Sequence, residues 1–416
     1  MWAIGRREMM LGGAMTLAGL EARAQAPAQE VRIGVIYPLS GANAQIGVDA
    51  RHAIEAAAEV VNGRFDLDLP GARNAGIASL GGARLRLVFA DHQGDPQKAR
   101  SEAERLITQE KVCAIIGAFQ SSASATISVT AERYGVPFVI ADSSSPSLHK
   151  RGLKFMFRPA GHDEMFTATM FDFLDALRAK GVKVETLGLF FEDTIWGTDS
   201  SNVQRRLAAE RGYRVVNDIK YRASSPSLSS EVQQLKTGDP DVLLPSSYTT
   251  DAILLIKTMA EVGYKPRNIL AQAGGFAEKA VYDAVGAQVG GLISRASFAL
   301  DLAARRPAVG AVNDLFKQRA KRDLNDNTSR QFMAMLVLAD AIDRAGSTDG
   351  QHIRAALAAT DISGERTIMP WRRIHFDAQG QNPDADGLLI QYVGGNWVTV
   401  FPQAFAAAEP LWPMNA

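Results

Sequence analysis

The chain has 416 residues, more than one ordinary domain needs, so two lobes with ample apolar core are expected. Lys+Arg and Asp+Glu both number 45, and so balanced a chain has no global field to draw it to nucleic acid or an anionic membrane. A single cysteine, Cys113, excludes a disulfide framework and any Cys/His metal cluster.

The N-terminus reads as an export signal. Arg6-Arg7 precede an apolar run over 9–20, and Ala22-Arg23-Ala24 is a small-x-small cleavage site. The run is about a dozen residues, too short to span a bilayer. The paired arginines leave both twin-arginine and ordinary secretion open. Removing residues 1–24 takes away three bases and two acids, leaving 42 against 43. No cysteine follows the signal to carry a lipid, and no later stretch suits a transmembrane helix. The mature protein is therefore expected to be periplasmic and soluble, without direct membrane insertion.

From residue 31 the pattern alternates strand and helix, which argues for parallel sheets covered by helices. VRIGVI (31–36) is a strand, followed by a turn and a helix through about residue 61; RLRLVFAD (84–91) is the next strand. Ala99, Ala103, Leu106 and Ile107 then form one apolar helical stripe, and between these elements lies a Gly-rich surface loop. Two apolar runs end in serine-rich turns, VCAIIGAFQSS (112–122) and VPFVIADSSSPSL (136–148), with Cys113 expected as a small buried hydrophobe in the first. A second series opens with a strand and polar turn over 184–197 and continues with strands over 213–219, 241–245, 268–273 and 291–299. Helices are expected near 308–321, 329–345 and 350–359, then a hairpin turning at Gly394-Gly395. No Pro/Ser-rich linker separates the two series, which suits short structured crossings and a hinge.

In an open α/β sheet, ligands sit at the carboxyl ends of the strands. Serine hydroxyls and free N–H groups at a following helix N-terminus can hold an anion without a buried countercharge. Serines at such turns also cap helices, so both roles stay open.

These residues resemble a known family, the extracytoplasmic solute-binding proteins of ABC importers, in its branched-chain amino-acid (Leu/Ile/Val) binding group. The matching pieces run in order: IGVIYPLSGANAQIG, FADHQGDPQKARSEAERLI, VCAIIGAFQSSASAT, YGVPFVIADSSSPSLHKRG, FMFRPAGHDE, FEDTIWG and GQNPDADGLLIQYVGGNWVTV. The resemblance implies an α/β fold of two Rossmann-like lobes joined by a three-crossing hinge, the type I periplasmic binding protein fold. It puts lobe one at 31–160 plus 300–375 and lobe two at 161–299 plus 376–405. The implied crossings fall near 158–163, 294–300 and 375–379. The implied function is capture of a small polar organic ligand (amino acid, amide or carboxylic acid) between the lobes and delivery to a membrane permease. A periplasmic sensor presenting its closed form to a membrane receptor is the alternative.

By resemblance, the ligand-carboxylate cradle comprises Ser121 with Ser122, Asp142 through its backbone, and Ser144. Trp196 would close over the ligand from lobe two, with Ser247 and Tyr248 at another strand end. Trp196 also reads as a core or hinge-side residue, and Ser247-Tyr248 as a solvated turn. Ile46 reads equally as a ligand-facing residue or as helix packing. Asp142 departs from the family, which carries a small neutral residue there; it would repel a carboxylate and welcome an amine or amide, or else point away and cap locally. A second departure lies at 272–276, Gln-Ala-Gly-Gly-Phe, where amino-acid binders carry an acid for the α-ammonium group; the next carboxylate is Glu278. A buried ammonium without that acid costs several kcal/mol, so the ligand class stays open.

The six histidines show no metal-ligand spacing and are expected at the surface or in turns. Asp95 before Pro96 reads as a helix cap. No nucleophile elbow, Walker A loop or zincin motif is present, so neither a cofactor nor catalysis is expected.

Overall fold

The computed structural model describes residues 30–414; the export signal expected over 1–24 lies outside the described residues. The first half builds a five-stranded parallel sheet in the order β2-β1-β3-β4-β5. Its elements are β1 (Glu30–Tyr37), α1 (Ala44–Asn62), β2 (Arg84–Asp91), α2 (Pro96–Thr108), β3 (Ala114–Gly117), α3 (Ser121–Tyr134), β4 (Phe138–Ile140) and β5 (Met156–Phe157). Interior strands β3 and β4 are buried throughout, as a doubly covered parallel sheet requires. The Asp95 carboxylate caps α2, accepting from the N–H groups of Gln97 at 2.6 Å and Lys98 at 3.0 Å, with Pro96 at the first helical position.

The second series is α4 (Asp163–Ala179), β6 (Thr186–Glu192), α5 (Ile195–Glu210), β7 (Arg214–Tyr221), α6 (Ser229–Gly238), β8 (Val242–Ser246), α7 (Thr249–Glu261), β9 (Leu270–Ala271), α8 (Lys279–Val285) and β10 (Ile293–Ala296). Strands β7-β6-β8 are parallel, and a single parallel bridge from Leu243 to Ile269 continues the sheet into β9 and β10. The chain then forms α9 (Ala308–Ala320), α10 (Asp326–Ala345), α11 (Gly350–Ala358), β11 (Asp361–Ser363), β12 (Arg373–His375), β13 (Leu388–Val393) and β14 (Asn396–Phe401). Helix α10 is buried along nearly its whole length and packs on α1, in the same core as the first sheet. The β13–β14 hairpin joins the second sheet antiparallel to β10. Gly394 and Gly395 make its turn, at φ +58° and +83°, where a side chain would be strained.

The two bodies are thus interleaved in sequence, linked by connections from β5 to α4, from β10 to α9 and from β12 to β13. Arg158 ties the first connection to the third. Its N–H donates to the Gly380 carbonyl at 2.8 Å, and its carbonyl accepts from the Asn382 N–H at 3.1 Å. Its fully buried guanidinium donates to Gln381 Oε1 at 2.6 Å and to the carbonyls of Ser143 and Ser145 at 2.9 and 3.0 Å.

Several local expectations need correction. Strand β4 is followed not by an α-helix but by a 3-10 turn, Pro146–Arg151, ending at Gly152 in the left-handed region. The second serine turn therefore has no α-helix N-terminus behind it. Cys113 stands just before β3 and its residue is half-buried, although burial pushes its thiol up to about 12. His92 and His149 are buried and take the turn alternative rather than the surface one, His149 within the 3-10 turn Pro146–Arg151. His92 still holds a turn, bonding the Ala118 carbonyl at 3.0 Å and accepting from the Gly94 N–H at 3.0 Å.

Candidate functional site

The serine turns after β3 and β4 are stapled side by side. Ser143 Oγ donates to the Phe119 carbonyl at 2.9 Å and lies 2.7 Å from Ser124 Oγ, while Ser121 Oγ accepts from the Ser145 N–H at 3.4 Å. In lobe two, Glu192 at the end of β6 folds back onto the start of α5. Its carboxylate accepts from the Thr194 hydroxyl at 2.7 Å and the Gly197 N–H at 2.7 Å. That cap fixes the first turn of α5 and so the direction of Trp196.

At the meeting of these turns lies a cavity of about 20 Å³ lined by Phe119, Asp142, Ser144, Trp196, Tyr248, Gly274 and Arg295. Trp196 stacks on Tyr248 with ring centroids 4.9 Å apart, and Tyr248 meets Phe119 at 5.4 Å, so an aromatic wall crosses from one lobe to the other. Phe119 holds φ at +70°, a strained conformation for a non-glycine residue. Gly274, at φ +58°, makes room for the indole: a Cβ there would stand 2.5 Å from Trp196 Cη2.

The polar side of the cavity is ionic. The Asp142 carboxylate accepts from the Tyr37 hydroxyl at 2.9 Å and Gln331 Nε2 at 3.0 Å, both through Oδ2, leaving the buried Oδ1 without a partner. Burial, opposed by Arg330 and these two donors, pushes its pKa up to about 6. The Arg295 guanidinium lies over the Phe166 ring at 4.1 Å, donates to Ser144 Oγ at 3.3 Å, and sits 3.6 Å from both Asp163 and Asp326. Its Nε and Nη1 are buried without hydrogen-bond partners. Burial pulls Arg295 down to about 10, which keeps it charged at neutral pH. Arg330 donates to the Asp142 carbonyl at 2.8 Å and pairs with Asp326 at 2.8 Å.

Of the residues expected from sequence, Asp142, Ser144, Trp196 and Tyr248 line this cavity. The Asp142 carboxylate bonds Tyr37 and Gln331 and not its own turn, so it makes no local cap. Ser121 and Ser122 do not line it: Ser121 staples the two turns, and Ser122 is half-buried at the start of α3. Tyr248 stands over that helix start. Burial and the Glu192 carboxylate push its phenol well up, opposed by the Thr194 hydroxyl and the Ser121 N–H. Ser247 is buried behind Gly274, its carbonyl accepting from the Gly275 N–H at 2.9 Å. Ile46 packs in the first core and lines no part of the cavity.

Sequence reasoning missed Phe119 and Arg295. A lone aromatic in a serine turn and a lone arginine in the apolar strand GLISRASFA were the available signals. Gln272 closes a neutral network, its Oε1 accepting from Gln204 Nε2 at 3.2 Å and its Nε2 donating to Thr167 at 3.2 Å. Glu278 turns away from the cavity and accepts from the side-chain amides of Asn327 and Asn325 at 2.5 and 3.1 Å. Among the described residues, no group of three or more His, Cys, Asp and Glu is arranged to hold a metal ion, and no helix is long and apolar enough to cross a membrane.

The profile of a family described as periplasmic binding protein matches residues 30–396. Leu/Ile/Val-binding protein homolog 7 of Brucella abortus (strain 2308) is 27% identical over 407 residues, covering 95% of this chain and 97% of the relative. Homolog 8 of Brucella suis biovar 1 (strain 1330) is 25% identical over 409 residues, covering 96% and 98%. Among solved structures, the leucine-binding protein LivK of Thermotoga maritima superposes with a TM-score of 0.76 at 23% identity, covering 89% of this chain and 97% of that one. A solute-binding protein of an ABC transporter from R. palustris, solved in complex with benzoate, gives 0.75 at 20% identity, covering 91% and 98%. The type I architecture, the two-walled cleft and the family match agree: this chain belongs to the periplasmic binding protein family, whose members bind solutes and do not catalyse.

Proposed function

We propose that this protein is the periplasmic component of an ABC importer, capturing a small polar organic ligand between its lobes and delivering it to a membrane permease. The carrying observation is that one cavity takes Phe119, Asp142 and Ser144 from the first lobe and Trp196, Tyr248 and Gly274 from the second. Only a closed form brings both sets together. A space of about 20 Å³ holds about one water, so a ligand must enter through an open form. It then favours closure by its differential affinity for the closed state.

In this reading the rigid bodies are 31–160 with 300–375 and 161–299 with 376–405, rocking about the crossings, and residues 1–24 direct export. Asp142 and Ser144 meet the ligand first, and Trp196 and Tyr248, backed by Ser247, complete the cage. Ser121, whose N–H lies against the Tyr248 phenol, and its neighbour Ser122 become free to bind when lobe two swings away. Chemical relatives support a ligand of this kind: LivJ of Streptococcus pneumoniae was solved with isoleucine and R. palustris solute-binding proteins with 4-hydroxybenzoate and benzoate.

The test is a thermal-shift and calorimetric panel on protein stripped of carried-over ligand by unfolding and refolding. A ligand at about 100 times its Kd adds about 2.7 kcal/mol of stability. One-to-one binding accompanied by a smaller radius of gyration in solution scattering supports the reading. Binding without any change in dimensions refutes closure about these crossings.

A further inference from the structure

We infer that the cleft selects an electrically neutral ligand whose head is a carboxamide, its carbonyl accepting from Arg295 and its N–H donating to Asp142. This rests on the solute-capture reading above and names its substrate class.

The argument begins with charge. Around the cavity the buried guanidiniums Arg158, Arg295 and Arg330 are interleaved with the buried carboxylates Asp142, Asp163, Asp326 and Glu192. Each of these groups already has an opposite charge or hydrogen-bond partners beside it, so a net-charged ligand adds a further charge where water is excluded. Hydrogen-bonding capacity narrows the choice. The buried atoms without hydrogen bonds on the cavity-lining charged residues are donors on one side, Arg295 Nε together with Nη1, which has only the Asp326 carboxylate 3.6 Å away, and an acceptor on the other, Asp142 Oδ1. A carboxylate satisfies the arginine but brings an acceptor up to Asp142. An amine satisfies Asp142 but offers the arginine nothing. A carboxamide carries one acceptor and two donors in one plane and serves both.

Zwitterionic amino acids are also neutral overall. An ammonium, however, carries three donors, whereas Asp142 has one free oxygen, its Oδ2 being held by Tyr37 and Gln331. On the second lobe, Gln272 is engaged with Gln204 and Thr167, and Glu278 is engaged with Asn325 and Asn327. The aromatic wall of Phe119, Tyr248 and Trp196 then takes the body of the ligand, which suits a flat or unsaturated chain.

The experiment uses matched amide and acid pairs on one body, acetamide with acetate and benzamide with benzoate, together with leucine and phenylalanine. Titrations run at about pH 8, where the acids are fully ionised. The expected result is that, in the pair whose body fits, the amide binds at least about tenfold tighter than the acid. Asp142→Asn, which removes the charge while keeping the side-chain shape, should shrink that preference by about tenfold or more by admitting the acid. Binding of an acid or an amino acid more tightly than every amide overturns the inference and leaves solute capture intact. An amide preference unchanged in Asp142→Asn overturns the role given to Asp142. Silence from the whole panel overturns the carboxamide inference. If mass spectrometry of the protein as purified also finds no small molecule released on unfolding, solute capture falls with it.

Discussion

Replacing Glu278 by Gln separates a buried charge from the shape that carries it. Glu278 is 6% exposed, and its two oxygens accept from Asn325 and Asn327 at the N-terminus of α10, in the opposite lobe. Burial raises its carboxyl from 4.5 to about 7, with Asp49 and Asp326 adding to the effect and the two asparagine donors opposing it. The sign follows from proton binding. Between about 4.5 and about 7 the folded chain holds a proton that the unfolded chain has released. Stability therefore falls as pH rises through that window, and the deficit is complete above it. A carboxyl moved that far costs roughly 3 kcal/mol once ionised in place. The glutamine cannot ionise. Urea unfolding of both proteins from about pH 5 to about pH 8.5 should show the variant gaining on the wild type by up to roughly 3 kcal/mol. Taking the difference cancels Asp142, whose raised pKa acts in the same direction in both chains. Parallel profiles across that range would refute the reasoning, since they would mean that Glu278 is ionised in the folded chain as readily as in the unfolded one.

Other substitutions probe the cleft and the crossings. Trp196→Ala removes the ring that stacks on Tyr248 and should weaken ligand binding by about 1–3 kcal/mol; unchanged calorimetric affinity would take the indole out of the site. Gly274→Ala must adopt φ near +58° and push a Cβ against the indole and the Ser247 carbonyl. It should lose about 1–3 kcal/mol of stability together with most ligand affinity, and a melting curve matching wild type would contradict that packing. Arg158→Leu strips the donors from Gln381 and the Ser143 and Ser145 carbonyls. Leaving such buried acceptors bare should cost about 3 kcal/mol or more in urea unfolding, whereas a loss under about 1 kcal/mol would show that the first and third crossings do not depend on it.

Much was legible along the chain because it is local. The alternation of strand and helix, the Asp95 cap and the Gly394-Gly395 turn each depend on neighbours within a few residues, where propensity and spacing act directly. Trp196 was legible for the same reason: the turn that aims it is held by Glu192, four positions before it in the chain. The resemblance to solute-binding proteins supplied what periodicity lacks, that α9 to α11 return to the first core and β13–β14 to the second sheet.

What only the tertiary structure decided is where charges and rings from distant segments meet. Arg295 sits in an apolar strand, and nothing within ten positions accounts for its charge. Its partners are Ser144, Asp163 and Asp326, brought together from both sides of the hinge. Glu278, the first carboxylate after the run 272–276, bonds Asn325 and Asn327, and Ser121, expected as a ligand contact, lies against Tyr248. Composition and spacing report which groups a chain owns and how they pattern locally. The field and hydrogen-bond partners at a buried atom depend on segments tens to more than a hundred residues away, and those become neighbours only when the chain folds.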